Sequence, residues 1–582
     1  MSNGRVLPIQ STTGATSFDI LVDGNALPQT YQLLSIVTHK EVNRVPMAFL
    51  VLRDGDAASE DFAVSNEDKL IPGKTIEIKM GYDSTNTTVF KGIIIKHGIK
   101  VREGGSVLEI SCKDESVKMT IGRKNKYFTE AKDSDAIEEI LGGYGGLSKS
   151  VEATGPTHQE LVQYYTTDWD FMLSRAEANG KLVLVDDGKV TVKAPDFGGV
   201  EQLTLIYGST LFEFEAEMDA RSQYQGVTSS SWDYAGQQMV QADGRPPGAN
   251  PQGNIRESSL AGVAGPSSLE LRHSGHVVDQ ELQAWADATL LKSHLAKIIG
   301  RAMIQGFPDI KPGNMVKFEG VGERFNGKAF LTAVRHEMNA GAWYTHLQFG
   351  RPVQWFYEEH ELAEKPAAGL LPGVNGLQIG LVKGLEGDPD GDDRIKVQLP
   401  VVDAQAEGIW ARLASLDAGQ NRGFVFRPEI GDEVIVGFLN DDPRDPVVLG
   451  MLHSSAKPAP IPAKDDNHEK GLVTRSEMKL HFDDDKKIIT VETPGGNKAI
   501  LDDDAGSITL QDQNGNKIVM DSNGIALESA KDITLKATGN VKVEGVNLEQ
   551  KAQAQFKAEG SAGLELKSSA IAKLQGSLVQ IN

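Results

Sequence analysis

The chain has 582 residues and a formal net charge of −22, from 59 lysines and arginines against 81 aspartates and glutamates. Proteins that coat nucleic acid or anionic lipid need clustered positive charge, so we expect neither as a binding partner. The 61 glycines and the aromatic content of 6% favour short strands and tight turns over helical bundles.

The start of the chain, MSNGRVLPIQSTTG, lacks the basic segment and the apolar core of a secretion signal. No uncharged apolar run approaches the length of about 18 residues that a membrane-spanning helix needs. The single cysteine, Cys112, cannot form an intrachain disulfide. These features predict assembly in the cytoplasm.

Short runs that alternate apolar and polar residues come first in the chain. Such alternation places apolar side chains on one face of a sheet, and Gly, Asn and Asp between the runs supply turns. The pattern predicts a β-barrel or sandwich from about residue 16 to residue 128. The runs are Phe18–Val22, Ile76–Met80, Val89–Ile95 and Val107–Cys112.

Helical patterns follow. Acidic residues before an apolar periodic run indicate a helix over Asp133–Leu141, and a second helix is expected over Asp168–Ala178. The pair Asp187-Gly188 between two alternating runs is typical of a type I′ hairpin. Apolar residues at helical spacing predict the longest helix of the chain over Asp279–Ile304.

Residues 236–266 are rich in Gly, Gln, Ala, Pro and Asn, so we expect a long mobile loop there. Glu358–Pro372 has the composition of a domain linker. Residues 376–452 contain five or six candidate strands, a size suited to a small closed barrel of the OB type. A proline-rich connector follows this barrel.

Beyond the connector the composition changes. Residues 471–582 contain no Trp or Tyr, two Phe and one Pro, yet apolar pairs two residues apart recur at short intervals. This pattern is typical of a solenoid-like needle. The residues that we expect to face its interior are Ile508, Leu510, Ile518, Met520, Ile525, Leu527, Ile533 and Leu535.

Such short strands cannot close a core within one chain, and an open sheet would leave unpaired edges. Three parallel chains would solve the problem, because each short strand would form one side of a triangle whose apolar residues meet at a common axis. The pattern therefore predicts a homotrimer.

The most specific motifs of the chain lie in residues 408–450, where several short strings keep a fixed order. They are Gly408-Ile-Trp-Ala-Arg412, Phe426-Arg-Pro-Glu429, Gly431-Asp-Glu-Val-Ile-Val436 and Asp442-Pro443. These strings resemble the OB-fold segment of VgrG and related spike proteins of contractile injection systems. The helix that begins Asp168-Trp-Asp-Phe171 is similar to a helix of the VgrG hub region.

This resemblance covers essentially the whole chain and implies a mainly β, trimeric spike. Its implied parts are a phage-tail-hub-like double-barrel base with small helices (1–365; barrels about 16–130 and 205–350, insert about 131–200), an OB-fold collar (366–456), a linker (457–470) and a trimeric β-prism or β-helix needle (471–582).

Two sets of site residues follow from the motifs and from the end of the chain. Leu578, Val579 and Ile581 would form a blunt apolar face that suits a cone-shaped tip protein of the PAAR type, as the resemblance also implies. We interpret Trp410, Phe424 and Phe426 as barrel core. The collar motif residues are Trp410, Arg412, Phe424, Pro428, Glu429, Gly431 and Asp432.

Several clusters could be mistaken for catalytic or metal sites. Asp390-Gly-Asp-Asp393 lacks the ligand spacing of an EF-hand, so a solvated turn is favoured over calcium. Asp483–Asp485 and Asp502–Asp504 are interpreted as turn acids, with ions on a trimer axis as the alternative. His273 and His276 are assigned to a surface loop. We expect no catalytic residue, metal or cofactor.

The leading hypothesis is a mechanical, non-enzymatic spike that adapts a tube to a membrane-puncturing needle. His453–Lys470 is too short to hold an enzyme domain between collar and needle. The alternative is a trimeric β-solenoid tail fibre with an adhesive or polysaccharide-degrading role.

The resemblance implies partners and a location. The partners would be the inner tube protein, baseplate or hub adaptor proteins, the PAAR-type tip protein and effector cargo. The particle would assemble in the bacterial cytoplasm and be delivered outward, and the target membrane would be contacted only on firing.

Overall fold

The computed structural model describes residues 14–248 and 252–581, so the expectation about a secretion signal in the first 13 residues lies outside the described part. The chain divides into two compact units, Met1–Gly373 and Val374–Asn582. Within the described residues, no helix combines the length and the apolar character that crossing a membrane requires.

The first unit begins with the predicted alternating strands, which occur where the sequence places them. A short 3-10 helix, Glu115–Thr120, precedes the last of them. The strands are β1 (Thr16–Val22), β2 (Asn25–Ala26), β3 (Leu33–Glu41), β4 (Met47–Arg53), β5 (Thr75–Tyr82), β6 (Thr85–Arg102), β7 (Gly105–Lys113) and β8 (Lys124–Lys132).

The middle of the first unit mixes helices with strands. The helices are α1 (Asp133–Gly142), α2 (Asp168–Ala178), α3 (Glu257–Leu260) and α4 (Asp279–Leu295). The strands are β9 (Ser148–Val151), β10 (Thr157–Thr166), β11 (Leu182–Asp186), β12 (Lys189–Lys193), β13 (Glu201–Ile206), β14 (Leu211–Met218), β15 (Gly226–Asp233), β16 (Gln238–Asp243) and β17 (Ser268–His273).

The first unit ends with further strands and a helical connection. These elements are β18 (Ile298–Gln305), β19 (Met315–Glu319), β20 (Gly327–Asn339), β21 (Ala342–Phe349), α5 (Phe356–Glu359) and the 3-10 helix Pro366–Gly369.

One large sheet organises this unit, with the strand order β14-β18-β21-β20-β3-β4-β7-β6-β5-β1-β2, while β13 pairs with β19 and β19 with β20. The antiparallel pair β3–β20 joins the two regions that the sequence predicts as barrels. One buried cluster lies around Leu50 and Ile110 and also includes Met338 and Trp343 of the second region; another lies around Phe318 and Phe349. A third cluster lies in the insert and includes Met172 and Val190.

The predictions for two helices and for one hairpin of the first unit are confirmed. Helices α1 and α2 begin at Asp133 and Asp168 as predicted. The hairpin between β11 and β12 turns at Asp187 and Gly188, with φ of +53° and +84°. Both values are positive, as a type I′ turn requires. Cys112 is buried on β7, and burial raises the pKa of its thiol to about 12.

Two predictions in the first unit are wrong. The long helix α4 ends at Leu295 rather than at Ile304, because the chain from Ile298 continues as β18 between β14 and β21. The region predicted as a loop, residues 236–266, contains β16, which pairs with β15, and the short helix α3. Distant strands hold β18 in its place, whereas β16 forms a local hairpin with β15.

The second unit begins with a small closed barrel, which confirms the predicted OB-type collar. Strands β22, β23, β24, β28 and β27 close in that order around a buried apolar core that includes Val382, Val397 and Val436. The strands are β22 (Gln378–Gly384), β23 (Ile395–Gln398), β24 (Ile409–Leu413), β25 (Ala418–Gly419), β26 (Arg422–Gly423), β27 (Glu433–Phe438) and β28 (Pro446–Met451), with a 3-10 turn at Leu439–Asp441.

The C-terminal segment, called the needle segment below, forms one antiparallel sheet in which each strand pairs with the next along the chain. No strand follows β35 in the described residues up to 581. The strands are β29 (Glu469–Val473), β30 (Lys479–Asp483), β31 (Ile488–Glu492), β32 (Lys498–Asp502), β33 (Ser507–Gln511), β34 (Lys517–Asp521) and β35 (Gly524–Glu528).

Candidate functional site

The needle sheet carries two apolar rows on one face. Alternate residues of each strand point to the same face, and the strand register aligns them from strand to strand. The first row runs through Leu480, Val491, Ala499, Leu510, Ile518 and Leu527. The second runs through Phe482, Ile489, Leu501, Ile508, Met520 and Ile525.

Within one chain this apolar face is largely uncovered. Ile508 and Leu510 are 41% and 43% exposed, and Ile525 and Leu527 are 72% and 57% exposed. A concave pocket of about 630 Å³ opens on the face and is lined in part by Leu510, Ile518 and Leu527. A contiguous apolar surface of this kind marks an interface with another molecule.

The predicted interior residues of the needle divide into two groups. Those from Ile508 to Leu527 share the apolar face, whereas Ile533 and Leu535 follow the last strand and are 57% and 77% exposed. The sequence predicts strands for the alternating pairs from Ile533 onward. Within the described residues, the segments after β35 form no strand pairs. Their apolar and polar residues nevertheless alternate as in β33 to β35.

The predicted tip residues lie in the same uncovered part of the chain. Leu578 and Ile581 are 82% and 85% exposed, and Val579 is 45% exposed. Asn582 lies outside the described residues.

The collar requires a correction. Ile409, Ala411 and Leu413 of β24 pack on the barrel core, so the alternate residues Trp410 and Arg412 point outward. The Trp410 ring lies beneath Lys396, with 5.7 Å from Nζ to the ring centroid. Phe424 and Phe426 are 53% and 50% exposed beyond the hairpin β25–β26. None of these three aromatic residues belongs to the barrel core, which consists of smaller aliphatic side chains.

The other collar motif residues build a turn. Gly431 adopts a φ of +85°, which favours glycine, and its N–H donates to the Val382 carbonyl over 2.8 Å. The Asp432 carboxylate accepts a 2.8 Å hydrogen bond from the Glu429 N–H. Pro428 beside them is buried. The motif is therefore explained by backbone geometry.

Two basic residues outside the motif hold this turn. Lys457 of the proline-rich connector donates to Asp432 over 2.8 Å and to the Gly431 carbonyl over 2.6 Å. Arg475 donates to Glu429 over 2.7 Å. Burial would raise the pKa of Asp432, but Lys457 lowers it overall. The sequence analysis did not predict either basic residue. Each lies outside the motif, and nothing in the sequence around it except its charge marks it as a partner of this turn.

The polar residues of α2, which carry the second resemblance, stabilise the base. Asp168 accepts hydrogen bonds from Lys124, Tyr144 and Gln163 at 2.5, 2.6 and 2.9 Å. Glu177 lies 2.5 Å from Lys292 Nζ. These contacts tie α2 to surrounding elements of the first unit.

The acidic turns bind protein groups. Asp388 accepts from the Arg394 side chain and from the N–H groups of Asp390, Asp392 and Arg394. The Arg394 guanidinium holds the pKa of Asp388 well below its usual range. In the described ranges 14–248 and 252–581, no three His, Cys, Asp or Glu side chains are placed to hold a metal ion.

Comparison with known protein families decides the classification. Residues 12–340, more than half of the chain, match the Alg8 N-terminal domain. Residues 378–453 match the type VI secretion system/phage-baseplate injector OB domain, and residues 488–582 match the phage baseplate V C-terminal trimerisation domain. The chain belongs to the Alg8 N-terminal domain family. Its OB and trimerisation domains, and part of its sequence, are similar to those of VgrG spike proteins.

Curated relatives of this chain carry the VgrG name. The chain is 31% identical over 137 residues to the type VI secretion system spike protein VgrG3 of Vibrio cholerae, and 31% identical over 113 residues to VgrG1b of Pseudomonas aeruginosa. It is 34% identical over 114 residues to the actin cross-linking toxin VgrG1 of V. cholerae. These matches cover 22%, 18% and 18% of this chain and only 13%, 15% and 10% of the relatives.

Solved structures match this chain with low TM-scores and low sequence identity. A tail protein from Neisseria meningitidis has a TM-score of 0.43 at 14% identity, and the match covers 59% of this chain and 98% of that chain. A Francisella PdpA–VgrG complex has a TM-score of 0.38 at 11% identity and covers 89% and 88%. At these scores neither structure carries an argument about function.

Proposed function

We propose that this chain is the structural, homotrimeric spike at the tip of a contractile injection machine. The observation that carries the proposal is the uncovered apolar face of the needle segment. Burying one such aliphatic side chain contributes about 1.5–3 kcal/mol, and two rows of them remain exposed in a single chain. The match of residues 488–582 to a trimerisation domain supports two further copies of the chain as the cover.

The proposed role is mechanical. The base would adapt the tube to the three-fold needle, the needle would cross the target membrane on firing, and no bond would be made or broken. The described residues of the needle segment contain no Trp or Tyr, which sugar-cleaving grooves use as platforms. The family matches also favour the spike over the tail-fibre alternative. One relative is named as a toxin, but its matched part is 10% of that protein.

The partners and the location belong to the same proposal. The base would contact the inner tube protein and baseplate or hub adaptor proteins, and the C-terminal end would bind a PAAR-type tip protein or effector cargo. The spike would assemble in the bacterial cytoplasm and be delivered outward on firing. The relatives named as type VI secretion spike proteins support this assignment.

The mass of the purified chain in solution tests the proposal. Native mass spectrometry or light scattering should give three times the mass of one chain, and negative-stain images should show a needle. A monomer of the expected chain mass, stable and soluble at micromolar concentration, would overturn the proposal.

A further inference from the structure

The chain that follows the last strand of the first unit is attached to the base in an unusual way. Residues 351–364, called the strap below, contain only the short helix α5, and within the described residues they form no strand pair. The preceding strand β21, by contrast, pairs on both sides, with β18 and with β20. Separate contacts therefore hold the strap in place of a ladder of hydrogen bonds.

A buried ion pair holds the middle of the strap. The Glu177 carboxylate on α2 lies 2.5 Å from Lys292 Nζ on α4, and both side chains are buried. Glu177 also accepts from the Phe356 N–H over 2.7 Å, and Lys292 donates to the Gln354 carbonyl over 2.9 Å. The Lys292 ammonium lies 4.9 Å from the centroid of the Trp355 ring. Three consecutive residues of the strap thus depend on one ion pair.

Further contacts hold the strap at its two ends and at one aromatic ring. The Arg351 N–H donates to the Leu295 carbonyl over 3.0 Å, and the Leu362 carbonyl accepts from Arg123 over 3.3 Å. The Phe356 ring is buried in the apolar cluster of the insert, and Leu362 packs against the same cluster. The strap is therefore docked on the base, although its sequence overlaps the stretch that has the composition of a linker.

We propose that the strap opens as a unit while the base stays folded, and that Glu177 and Lys292 are its latch. The strand pairs of β21 end at Phe349, before the strap begins, so lifting the strap breaks no strand pair. Segments held by few contacts open at a lower free energy than the sheets on which they lie.

The proposed function gives this opening a use. The strap is the part of the base that leads directly into the collar in the chain, so tension between base and collar on firing would act on it. An opened strap would release up to about 50 Å of extended chain. This use rests on the proposed function, whereas the opening itself does not.

Hydrogen exchange of the full-length chain, measured by mass spectrometry of peptic peptides, tests the proposal. Strap peptides that contain the Phe356 N–H should exchange faster than peptides from β20 and β21, because opening the strap leaves the sheet closed. Glu177→Gln removes the charge from the latch and should accelerate exchange in the strap about tenfold, since hydrogen bonds to charged groups are the stronger ones. Exchange in β20 and β21 should stay unchanged.

A second latch variant and a matched control make the test specific. Lys292→Met removes the other half of the latch and should accelerate exchange in the same strap peptides. Glu270→Gln removes the same kind of charge from an exposed pair with Arg272 on β17 and should leave exchange in the strap unchanged. The native chain alone already shows whether the strap opens separately from β21.

Two outcomes would overturn the proposal. Equal exchange rates in the strap and in β21 of the native chain would show that the strap opens only when the base unfolds. Faster exchange throughout the first unit in both latch variants would show that the ion pair stabilises the whole base. A monomer by native mass would remove the proposed function and with it the use on firing, while separate exchange of the strap would still support the latch.

Discussion

Arg175 donates from Nε to the carboxylate of Asp133 over 2.5 Å, and Asp133 is completely buried. Asn179 donates to the same carboxylate over 2.8 Å, while Glu281 accepts from Arg175 over 2.9 Å. Burial alone would raise the pKa of Asp133, but Arg175 lowers it below its ordinary value of 3.8. This pair joins α1 to α2, the helix whose sequence resembles the VgrG hub.

Replacing Arg175 should therefore destabilise the base. Arg175→Met removes the arginine from the buried Asp133 carboxylate and leaves Asn179 and His158 as its partners. Removing one partner of a buried ion pair typically costs about 3–5 kcal/mol. Chemical denaturation followed by circular dichroism measures the change in the free energy of unfolding. The control is Arg272→Met, which removes an exposed pair with Glu270 and should change it by about 0.5 kcal/mol or less. Similar effects of the two variants would contradict the structural role of the pair.

His336 should make the base less stable in mild acid. Burial, together with the positive charges of Lys40 and His346, lowers its pKa from 6.5 to about 3. The unfolded chain therefore binds a proton on this group as the pH falls below 6.5, whereas the folded chain does not until about pH 3. Between pH 7 and pH 5 this group should lower the free energy of unfolding by about 2 kcal/mol.

The variant His336→Gln tests this assignment. The variant should lose less stability than the native protein between pH 7 and pH 5, as measured by chemical denaturation followed by circular dichroism. Other ionisable groups also make the free energy of unfolding depend on pH in both proteins. The test is therefore the difference between the variant and the native protein. Parallel curves for variant and native protein would show that His336 titrates normally.

The register of the needle strands predicts that two single substitutions differ strongly in their effect on the thermal stability of the trimer. Ile525 lies on the apolar face, and Thr534 is exposed beyond the last strand. In a trimer, Ile525→Asp would bury three carboxylates close together, and burying even one unpaired charge is strongly unfavourable. Thr534→Asp should change the dissociation temperature little. Equal thermal stability of the two trimers would show that this face does not form the interior.

Removing Gly471–Asn582 should leave the base and collar folded. The buried collar core lies between Val382 and Val448, so it includes no residue of the needle segment. The truncated chain should keep its β-rich circular dichroism spectrum and lose much of its trimeric state, as measured by light scattering. An insoluble or unfolded product would contradict the independence of these domains.

The last residues should be needed for the tip protein alone. Deleting Leu578–Asn582 removes exposed apolar side chains that make no strand pairs among the described residues, so the trimer should persist. Co-purification with a PAAR-type protein should be lost. The control Gln580→Ser, which changes a polar neighbour, should retain it. Undiminished co-purification with the deletion would exclude this role.

Local patterns in the sequence predicted much of this structure. Alternation, turn residues and first-turn acids identified β1, β5, β7, α1, α2 and the closed barrel, because each depends on neighbouring residues. The predicted end of α4 was wrong because the sequence of Ile298–Gln305 fits both a helical and an alternating pattern. Only pairing with the distant strands β14 and β21 decides between the two.

The sequence predicted only part of the candidate site. The part that it missed depends on contacts that a sequence pattern does not report. Alternation correctly grouped Ile508 with Met520 on one face of the sheet. It could not show that Phe424 and Phe426 are exposed, because an aromatic residue covered by another chain has the same sequence signal as one in a core. Sequence pattern reports that a side chain avoids water, not which chain covers it.

The pairing of each needle strand with the next has a consequence for how the spike forms. Every contact in the sheet β29–β35 joins strands separated by a short turn, so the sheet can form by successive hairpins without a long search. The slow step should then be the meeting of three chains, whose rate depends on concentration.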